Sequence, residues 1–264
     1  MFIKNIASKH RAQGNGNMIR VLTLNIHKGF TLFNARFMLH ELRDALRRSE
    51  PDIVFLQEVQ GVHTEKEENH HDWPDEAQVE FLADEVWSDF AYGKNAVYTL
   101  GHHGNAILSK YPIEHWEQVD ISTNRVEQRG HLYCRLQLPE EKRTLHCLCM
   151  HLGLSALSRR KQLHMISDYI AKHVPDKELL IVAGDSNDWT GLPTKRFATR
   201  ANLHDVALVS NGKHLKTFPA KRPLLSLDRI YVRGLKVLYA TAHDDAIWRE
   251  LSDHVPLTAE LELL

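Results

Sequence analysis

Apolar runs and amphipathic stretches alternate along the chain and predict an α/β protein. Apolar positions at helical spacing predict helices over 34–48, 76–88 and 155–173. Asn34 is a candidate cap for the first helix, and Pro51 ends that helix before a strand over 52–58. Other short apolar runs predict strands over 92–98, 104–109, 130–138, 143–150, 179–183, 227–232, 235–241 and 255–262. Strands that alternate with helices are typical of layered α/β folds.

Five apolar runs border polar residues. Four of them lead into polar groups and the fifth follows one: Asn25, Gln57-Glu58, His151, Gly184-Asp185-Ser186-Asn187 and Ser252-Asp253-His254. Polar groups at strand ends often converge on one site in open β-containing folds. Carboxylates, imidazoles and carboxamides suit a hard divalent cation and a phosphate ester.

These motifs, in this order, resemble the endonuclease/exonuclease/phosphatase superfamily, the group that includes DNase I. The residues over 104–113 and 227–231, the pair His151-Leu152 and the triplet Thr217-Phe218-Pro219 also look like the family. The resemblance extends from about Arg20 to the end of the chain and is strongest to the small, stand-alone bacterial branch. It implies a four-layer α/β/β/α sandwich, in which two mixed β-sheets pack face to face with helices outside.

The resemblance also implies a metal site for Mg²⁺, with Mn²⁺ as a possible substitute. Glu58 is then the main metal ligand, Asn25 is a neutral neighbour of the metal and its water, and Asp253 lies near the metal. A magnesium ion is usually held by one or two carboxylates plus water and substrate oxygens. Taken alone, Glu58 can equally cap a helix or pair with an arginine, and Asn25 can be a turn residue.

A second group of residues corresponds to the family's catalytic machinery. Asp185 orients or activates the attacking water, and Asn187 donates a hydrogen bond to the phosphate in the transition state. His254 contacts the scissile phosphate, while Asp228 pairs with it and fixes its tautomer. His151 corresponds to a second histidine that acts as a general acid. The formal base is either Asp185 or His254.

Two further residues are candidate substrate ligands. Asn105 matches the family's Gly-Asn-Ala-Ile-Leu-Ser element and is expected to reach the phosphate. Arg129 is a candidate bidentate phosphate ligand, and a plain surface salt bridge is an equal alternative. Ser186 departs from the family pattern, because relatives usually carry a bulkier apolar residue there.

The net charge of the chain bears on whether the substrate is nucleic acid or a smaller phosphodiester. The 264 residues include 33 basic and 34 acidic residues, so the formal net charge is -1. A protein that binds long nucleic acid usually carries a basic excess, although a local basic patch remains open. The substrate is therefore either nucleic acid or a lipid or other small phosphodiester, and the charge favours the second. Exposed apolar loops at the mouth, such as those of Trp73 or Trp189, would accompany a lipid.

The N-terminal sequence, the lack of a long apolar stretch and the few cysteines predict a cytoplasmic protein. Peripheral contact with a membrane stays open. No apolar stretch approaches the roughly 20 residues that cross a bilayer. Residues 1–17 are expected to form a flexible tail, and 18–264 a single domain. Cys134, Cys147 and Cys149 are expected to be buried, reduced thiols. The polar stretch 63–75 is expected to be a solvated loop, with a metal site at His70 and His71 as a weak alternative.

The sequence thus predicts a Mg²⁺-dependent phosphoesterase that cleaves a phosphodiester. The competing hypothesis is a catalytically inactive binding or scaffold protein that keeps the fold. An inactive relative should have lost Glu58, Asp185 or His254, and all three are present. The sequence does not predict the oligomeric state.

Overall fold

Two β-sheets form the centre of the structure. The computed structural model describes residues 17–31, 36–63, 73–74, 76–98, 101–138 and 143–264. The strands are β1 (Met18–Asn25), β2 (Ile53–His63), β3 (Asp89–Tyr98), β4 (Gly101–Ser109), β5 (Ile113–Asp120), β6 (Gly130–Leu138), β7 (Arg143–His151), β8 (Leu179–Asp185), β9 (His204–Asp205), β10 (Asp228–Arg233), β11 (Leu235–Ala242) and β12 (Leu257–Leu263). The helices are α1 (Leu39–Ser49), α2 (Gln78–Ala83), α3 (Ala156–His173), α4 (Leu192–Arg200) and α5 (Val206–Asn211).

Each sheet has six strands and is mixed. The first sheet has the order β11-β12-β1-β2-β4-β3, and the second has the order β5-β6-β7-β8-β10-β9. The pairs β1–β2 and β7–β8 are parallel, and the other paired strands are antiparallel. Because parallel neighbours end at the same edge of a sheet, the residues at the ends of β1 and β2, and of β7 and β8, lie side by side.

The predicted four-layer α/β/β/α sandwich is the observed architecture. The inner faces of the sheets pack against each other through a buried apolar layer that includes Val21, Phe55, Ile107, Cys147, Ile181 and Ile230. Helices α1 and α2 cover the outer face of the first sheet, where Leu42, Leu46 and Leu82 contribute to the buried cluster. Helices α3 and α4 cover the second sheet through Leu163, Ile166 and Phe197.

The helix boundaries correct two of the sequence predictions. The first helix begins at Leu39, because Phe37 forms a β-bridge with Phe30 and is not helical. The predicted cap Asn34 lies outside the described residues. The second helix is also shorter than 76–88, since Asp84 has φ 45° and ψ -151° and ends it after one and a half turns. The third prediction is confirmed, and the Ser155 side chain caps α3 by accepting a hydrogen bond from the N–H of Ser158.

Some elements carry too weak a pattern to be predicted. Strand β5 lies at an edge of the second sheet and is largely half-buried or exposed, so its apolar alternation is incomplete. Helix α5 has only six residues, and the Asp205 carboxylate caps it by accepting from two main-chain N–H groups. Strand β2 continues past the predicted end at residue 58, through a register shift between Leu56 and Val59.

The predictions on membrane spans, cysteines and flexible segments can be compared with the structure only in part. None of the helices in the described ranges combines the length and the apolar character that a membrane span requires. The three cysteines are buried and free of disulfides, as expected. The predicted tail over 1–17 and the loop over 63–75, with His70 and His71, fall mostly outside the described residues. The single domain over 18–264 stays a prediction.

Candidate active site

The polar ends of β1, β7 and β8 meet the register shift of β2 at one edge of the sandwich. Asn25 ends β1 and pairs in register with Gln57 of β2, while His151 ends β7 and pairs in register with Asp185 of β8. The Asn25 side-chain amide donates a hydrogen bond to Asp185 Oδ2 over 3.2 Å. This bond joins the two sheets, so the strand-end groups of both face a shared site.

The Asp185 carboxylate is the centre of this site. Its Oδ2 lies 3.6 Å from His151 Nε2 and 3.8 Å from His254 Nε2. Its Oδ1 accepts a hydrogen bond of 2.9 Å from the main-chain N–H of Asn187. Gly184 precedes it with φ 141°, and a Cβ at this glycine would lie 1.9 Å from the Met150 carbonyl oxygen. Only glycine therefore lets β8 approach β7 closely enough to place Asp185 beside His151.

His254 is held by Asp228, the first residue of β10. Its Nδ1 donates a hydrogen bond of 2.8 Å to Asp228 Oδ2, and both side chains are buried. Burial by itself lowers the pKa of His254, but the carboxylates of Asp228, Asp185 and Asp253 outweigh it and raise the pKa to about 10. His254 is therefore protonated at neutral pH, and its Nε2 lies on the side of the ring nearer Asp185, 3.8 Å from Oδ2. The Phe218 ring packs on the imidazole at 4.9 Å between centroids.

The pKa values of Asp185 and His151, which lie next to His254, are shifted in opposite directions. Burial raises the pKa of the Asp185 carboxyl, an effect that the positive charge of His254 opposes and the negative charge of Asp228 reinforces. Burial holds the pKa of His151 well below its usual range, and the nearby Arg129 guanidinium lowers it further. His151 is therefore neutral at neutral pH.

A second cluster lies beside the first and is more exposed. His27 Nδ1 lies 3.4 Å from Asp253 Oδ2 and 3.9 Å from Glu58 Oε2, so the two carboxylates flank one imidazole. The Lys28 ammonium lies 3.8 Å from Glu58 Oε2. Burial tends to raise the pKa of Glu58, but positive charge beside it, including the Lys28 ammonium, outweighs burial and lowers the pKa below its usual range.

The donor atoms of this second cluster fit a hard divalent cation. Glu58 and Asp253 supply carboxylate oxygens, and Asn25 Oδ1 lies nearby, where it accepts a hydrogen bond of 3.1 Å from the main-chain N–H of His27. Within the described ranges, no three His, Cys, Asp or Glu side chains form a ready-made metal cluster. This donor set is typical of Mg²⁺, which keeps several waters and takes few protein ligands, and not of a site built for zinc.

The backbone around the site is strained at several positions. Four non-glycine residues at the site have positive φ angles: His27 (45°), Lys28 (61°), Glu58 (57°) and Asn187 (49°). Such conformations cost on the order of 1–3 kcal/mol each and persist where the surrounding structure imposes them. At Glu58 the strained residue sits within the register shift of β2, which turns its side chain toward the site instead of into the sheet.

Three predicted ligands make contacts that differ from a simple phosphate role. The Asn187 amide donates a hydrogen bond of 2.9 Å to the Leu152 carbonyl. Asn105 is buried, and its amide donates to main-chain carbonyls of Gly130 and Cys149, so it bridges the sheets. Arg129 donates to the Leu152 carbonyl and forms an ion pair with Glu127 at 3.1 Å, the alternative that the sequence left open. Substrate contacts by Asn105 and Arg129 stay predictions.

Sequence reasoning missed His27 and Lys28. Their signal was present, because they lie two and three residues after Asn25 at the end of β1, but histidine and lysine after a strand are common. The departure at Ser186 has a local explanation: its hydroxyl donates a hydrogen bond of 2.6 Å to the Leu227 carbonyl and so ties the Asp185 loop to the strand that carries Asp228.

Comparisons with known proteins point to one family. The model of the Endonuclease/Exonuclease/phosphatase family matches residues 22–254. The chain is 50% identical to the uncharacterized protein YbhP of Escherichia coli strain K12 over 244 residues, which covers 92% of this chain and 96% of that protein.

Solved structures share the fold at low sequence identity. The mannosyl-6-phosphatase Bt3783 of Bacteroides thetaiotaomicron superposes with a TM-score of 0.71 at 15% identity, covering 92% of this chain and 99% of that one. D. rerio TDP2 complexed with single strand DNA product superposes with a TM-score of 0.68 at 19% identity, covering 93% and 99%. The fold, the order of the strand-end motifs and the family match agree, and the chain belongs to the endonuclease/exonuclease/phosphatase family.

Proposed function

We propose that the protein is a Mg²⁺-dependent phosphodiesterase that hydrolyses its substrate by in-line attack of water. The observation that carries the proposal is the position of the Asp185 carboxylate. Its Oδ2 lies 3.6 Å from one histidine and 3.8 Å from another, and it accepts a hydrogen bond from Asn25 of the opposite sheet. A buried carboxylate between two imidazoles, next to a cation site, is suited to activate water beside a phosphate.

Asp185 is the proposed base. Because burial raises its pKa, it accepts a proton from water more readily than an ordinary aspartate does. The water oxygen forms a bond to phosphorus, and the ester P–O bond on the opposite side breaks. The proton of the attacking water passes to Asp185, and the leaving oxygen takes a proton from bulk water.

His254 and Asn187 are the proposed contacts to the phosphate. Protonated His254 cannot serve as the base, but its Nε2–H can donate to a phosphoryl oxygen as negative charge develops there. The Asn187 amide uses one hydrogen for the Leu152 carbonyl and keeps its second for the phosphate. Neutral His151 is better suited to orient Asp185 and the water than to act as the general acid, since burial opposes its protonation.

Glu58, Asp253 and Asn25 are the proposed holders of Mg²⁺ or Mn²⁺. When bound, the cation supplies a Lewis acid that withdraws charge from a phosphoryl oxygen. Lys28 favours the charged form of Glu58, because its ammonium group lies 3.8 Å from Glu58 Oε2. Asn105 and Arg129 are retained as candidate substrate contacts at the same edge.

The substrate is proposed to be either nucleic acid or a lipid or other small phosphodiester. The exposed Trp189 beside the site favours the second class. Three buried, free cysteines are consistent with a reducing compartment, so we place the protein in the cytoplasm.

The direct test is hydrolysis of bis(p-nitrophenyl) phosphate by the purified full chain, with added Mg²⁺, with Mn²⁺ and after chelation. We expect turnover that returns when the metal is restored and that is lost in Asp185→Asn. Metal-independent turnover would overturn the Mg²⁺ requirement, and no turnover in any condition would favour the inactive binding or scaffold protein. A panel of single- and double-stranded DNA, RNA, phospholipids and sugar phosphates then identifies the substrate class.

A further inference from the structure

The segments that follow β7 and β8, each a loop and the first turn of the next helix, hold exposed apolar side chains beside the site. Leu154 comes shortly after His151, and Trp189 shortly after Asn187. Leu157 is 64% exposed, Leu154 62%, Trp189 55% and Leu192 54%. We call these four residues the apolar collar. Large apolar side chains concentrated at the mouth of a polar site indicate a surface that is covered in use.

A buried arginine fixes this collar in place. The Arg159 side chain is almost fully buried and donates hydrogen bonds to the main-chain carbonyls of Gly153 and Leu154. Its guanidinium also lies 4.7 Å from the ring centroid of Trp189. One buried side chain therefore ties both loops together and holds their apolar residues outward.

A basic cavity adjoins the collar. It has a volume of about 310 Å³ and lies between α3 and α4, with an apolar surface formed by Leu163, Leu192 and Phe197. Its charged lining consists of Arg160, Arg196 and Arg200, of which Arg200 forms an ion pair with Asp168 at 2.6 Å. Leu192 belongs to both the collar and the cavity, and Leu157 precedes Arg160 by one helical turn. The collar and the basic cavity therefore form one continuous surface, even though the whole chain is close to neutral.

We propose that the apolar collar and the basic cavity together dock the protein on an anionic phospholipid membrane. The collar leucines and Trp189 enter the boundary between headgroups and acyl chains, and the cavity arginines attract the anionic headgroups. Nucleic acid fits this surface less well. Three of the four collar side chains are leucines, which offer no ring for base stacking, and one face of Trp189 is covered by Arg159.

Docking in this orientation places the mouth of the candidate active site at the headgroup layer. This consequence rests on the proposed function, whereas membrane binding itself requires no turnover. Binding and hydrolysis can therefore be measured separately, and failure of one leaves the other intact.

The test is co-sedimentation of the full chain with vesicles of phosphatidylcholine alone or mixed with phosphatidylglycerol. We expect binding to the mixed vesicles only. Each arginine near an anionic surface strengthens partitioning about fivefold, so Arg160→Ala with Arg196→Ala should weaken it about 25-fold. Leu157→Ser with Leu192→Ser should weaken it on the order of tenfold or more. If a double variant does not fold, Arg196→Ala or Leu157→Ser alone should each retain a measurable share of the effect.

Matched controls lie on other surfaces of the fold. Leu238 and Tyr239 are exposed apolar residues of β11, and Arg135 and Lys236 are exposed cations of β6 and β11. Leu238→Ser with Tyr239→Ser, and Arg135→Ala with Lys236→Ala, should bind like the unmodified chain. All four double variants should hydrolyse the soluble diester normally.

Three results would overturn the proposal. The first is no binding to the phosphatidylglycerol vesicles at low salt. The second is an equal loss of binding in the control variants. The third is tight binding of single-stranded DNA that the collar and cavity substitutions abolish while vesicle binding persists, which would assign the surface to nucleic acid.

Discussion

The two halves of the candidate active site differ in burial and in hydrogen bonding. In the buried half, formed by Asp185, Asp228, His151 and His254, the side chains are between 0% and 5% exposed. In the open half, formed by His27, Lys28, Glu58 and Asp253, they are between 13% and 29% exposed. The buried half has a direct hydrogen bond of 2.8 Å, whereas the ion pairs of the open half are 3.4 Å or longer.

This difference matches the tasks proposed for each half. Proton handling needs side chains held in one geometry with shifted pKa values, which burial and short hydrogen bonds provide. A hydrated cation needs oxygens that water can reach and that can adjust as the ion enters. Substitutions in the buried half should therefore change the rate at any metal concentration, and those in the open half should change the metal requirement.

The largest effect should come from Asp185→Asn. The substitution keeps the shape of the side chain and removes the base, so kcat should fall by about 10³–10⁴ with little change in KM. Steady-state kinetics over a range of Mg²⁺ concentrations checks this, and added metal should not restore the rate. The matched control is Asp188→Asn, since Asp188 is also buried but its carboxylate accepts hydrogen bonds from Thr190 and Thr194. That control should lower the free energy of unfolding by about 1–3 kcal/mol and leave kcat intact.

His254→Ala should follow, with a loss in kcat on the order of 10²–10³, because it removes a charged donor to the phosphoryl oxygen. His243→Ala is a suitable control, since His243 is partly buried but forms its hydrogen bond with Thr258 instead of with Asp228. A His254→Ala protein within about threefold of the unmodified rate would remove His254 from the phosphate contact.

Glu58→Gln should lower turnover roughly 10–100-fold at limiting Mg²⁺, the loss typical for residues that support a bound metal. Unlike the buried-half variants, this one should recover part of its rate as the Mg²⁺ concentration is raised. The substitution removes one negative charge from the cation site and so weakens Mg²⁺ binding, but it leaves the base Asp185 intact. Calorimetric titration with Mg²⁺ gives the affinity directly. Glu114→Gln, on the surface pair with Arg135, is the control. Unchanged metal affinity in Glu58→Gln would show that the open half does not bind the cation, and the proposed separation of tasks between the two halves would be wrong.

Asp228→Asn should have the smallest effect, about tenfold in kcat, since it removes an orienting group and leaves the phosphate contact. It should also change the pH profile. The protonated form of His254 is lost as pH rises through about 10 in the unmodified protein, so a lowered pKa moves the alkaline limb toward neutral pH. For the same reason the pair contributes stability that is complete below pH 6.5 and lost as pH rises through 10. An unchanged alkaline limb of the pH profile in Asp228→Asn would show that Asp228 does not set the pKa of His254.

The sequence predicted most of the strands and the polar groups that meet at one edge of the sandwich. Apolar runs that border polar residues define buried strands and their ends, and both properties are local. The ends of β1, β7 and β8 were therefore identified before any contact was known, whereas β2 continues past its predicted end at residue 58 to His63. Elements with weak local patterns were missed: β5 because an edge strand is half exposed, and α5 because six residues give too short a period.

Individual contacts depended on the tertiary structure. Nothing local in the sequence predicts that Arg129 pairs with Glu127 or that Asn105 bridges the two sheets. The place of His27 between Glu58 and Asp253 likewise joins residues far apart in the chain.

The sequence by itself determined the fold class, the family resemblance and the candidate catalytic set, because strand periodicity and motif order are written along the chain. The tertiary structure decided which half of the site is dry, which histidine is protonated and which loops carry the apolar collar. Burial and electrostatic shifts depend on the distance between charges and on the solvent they exclude, and both arise only when the two sheets pack together.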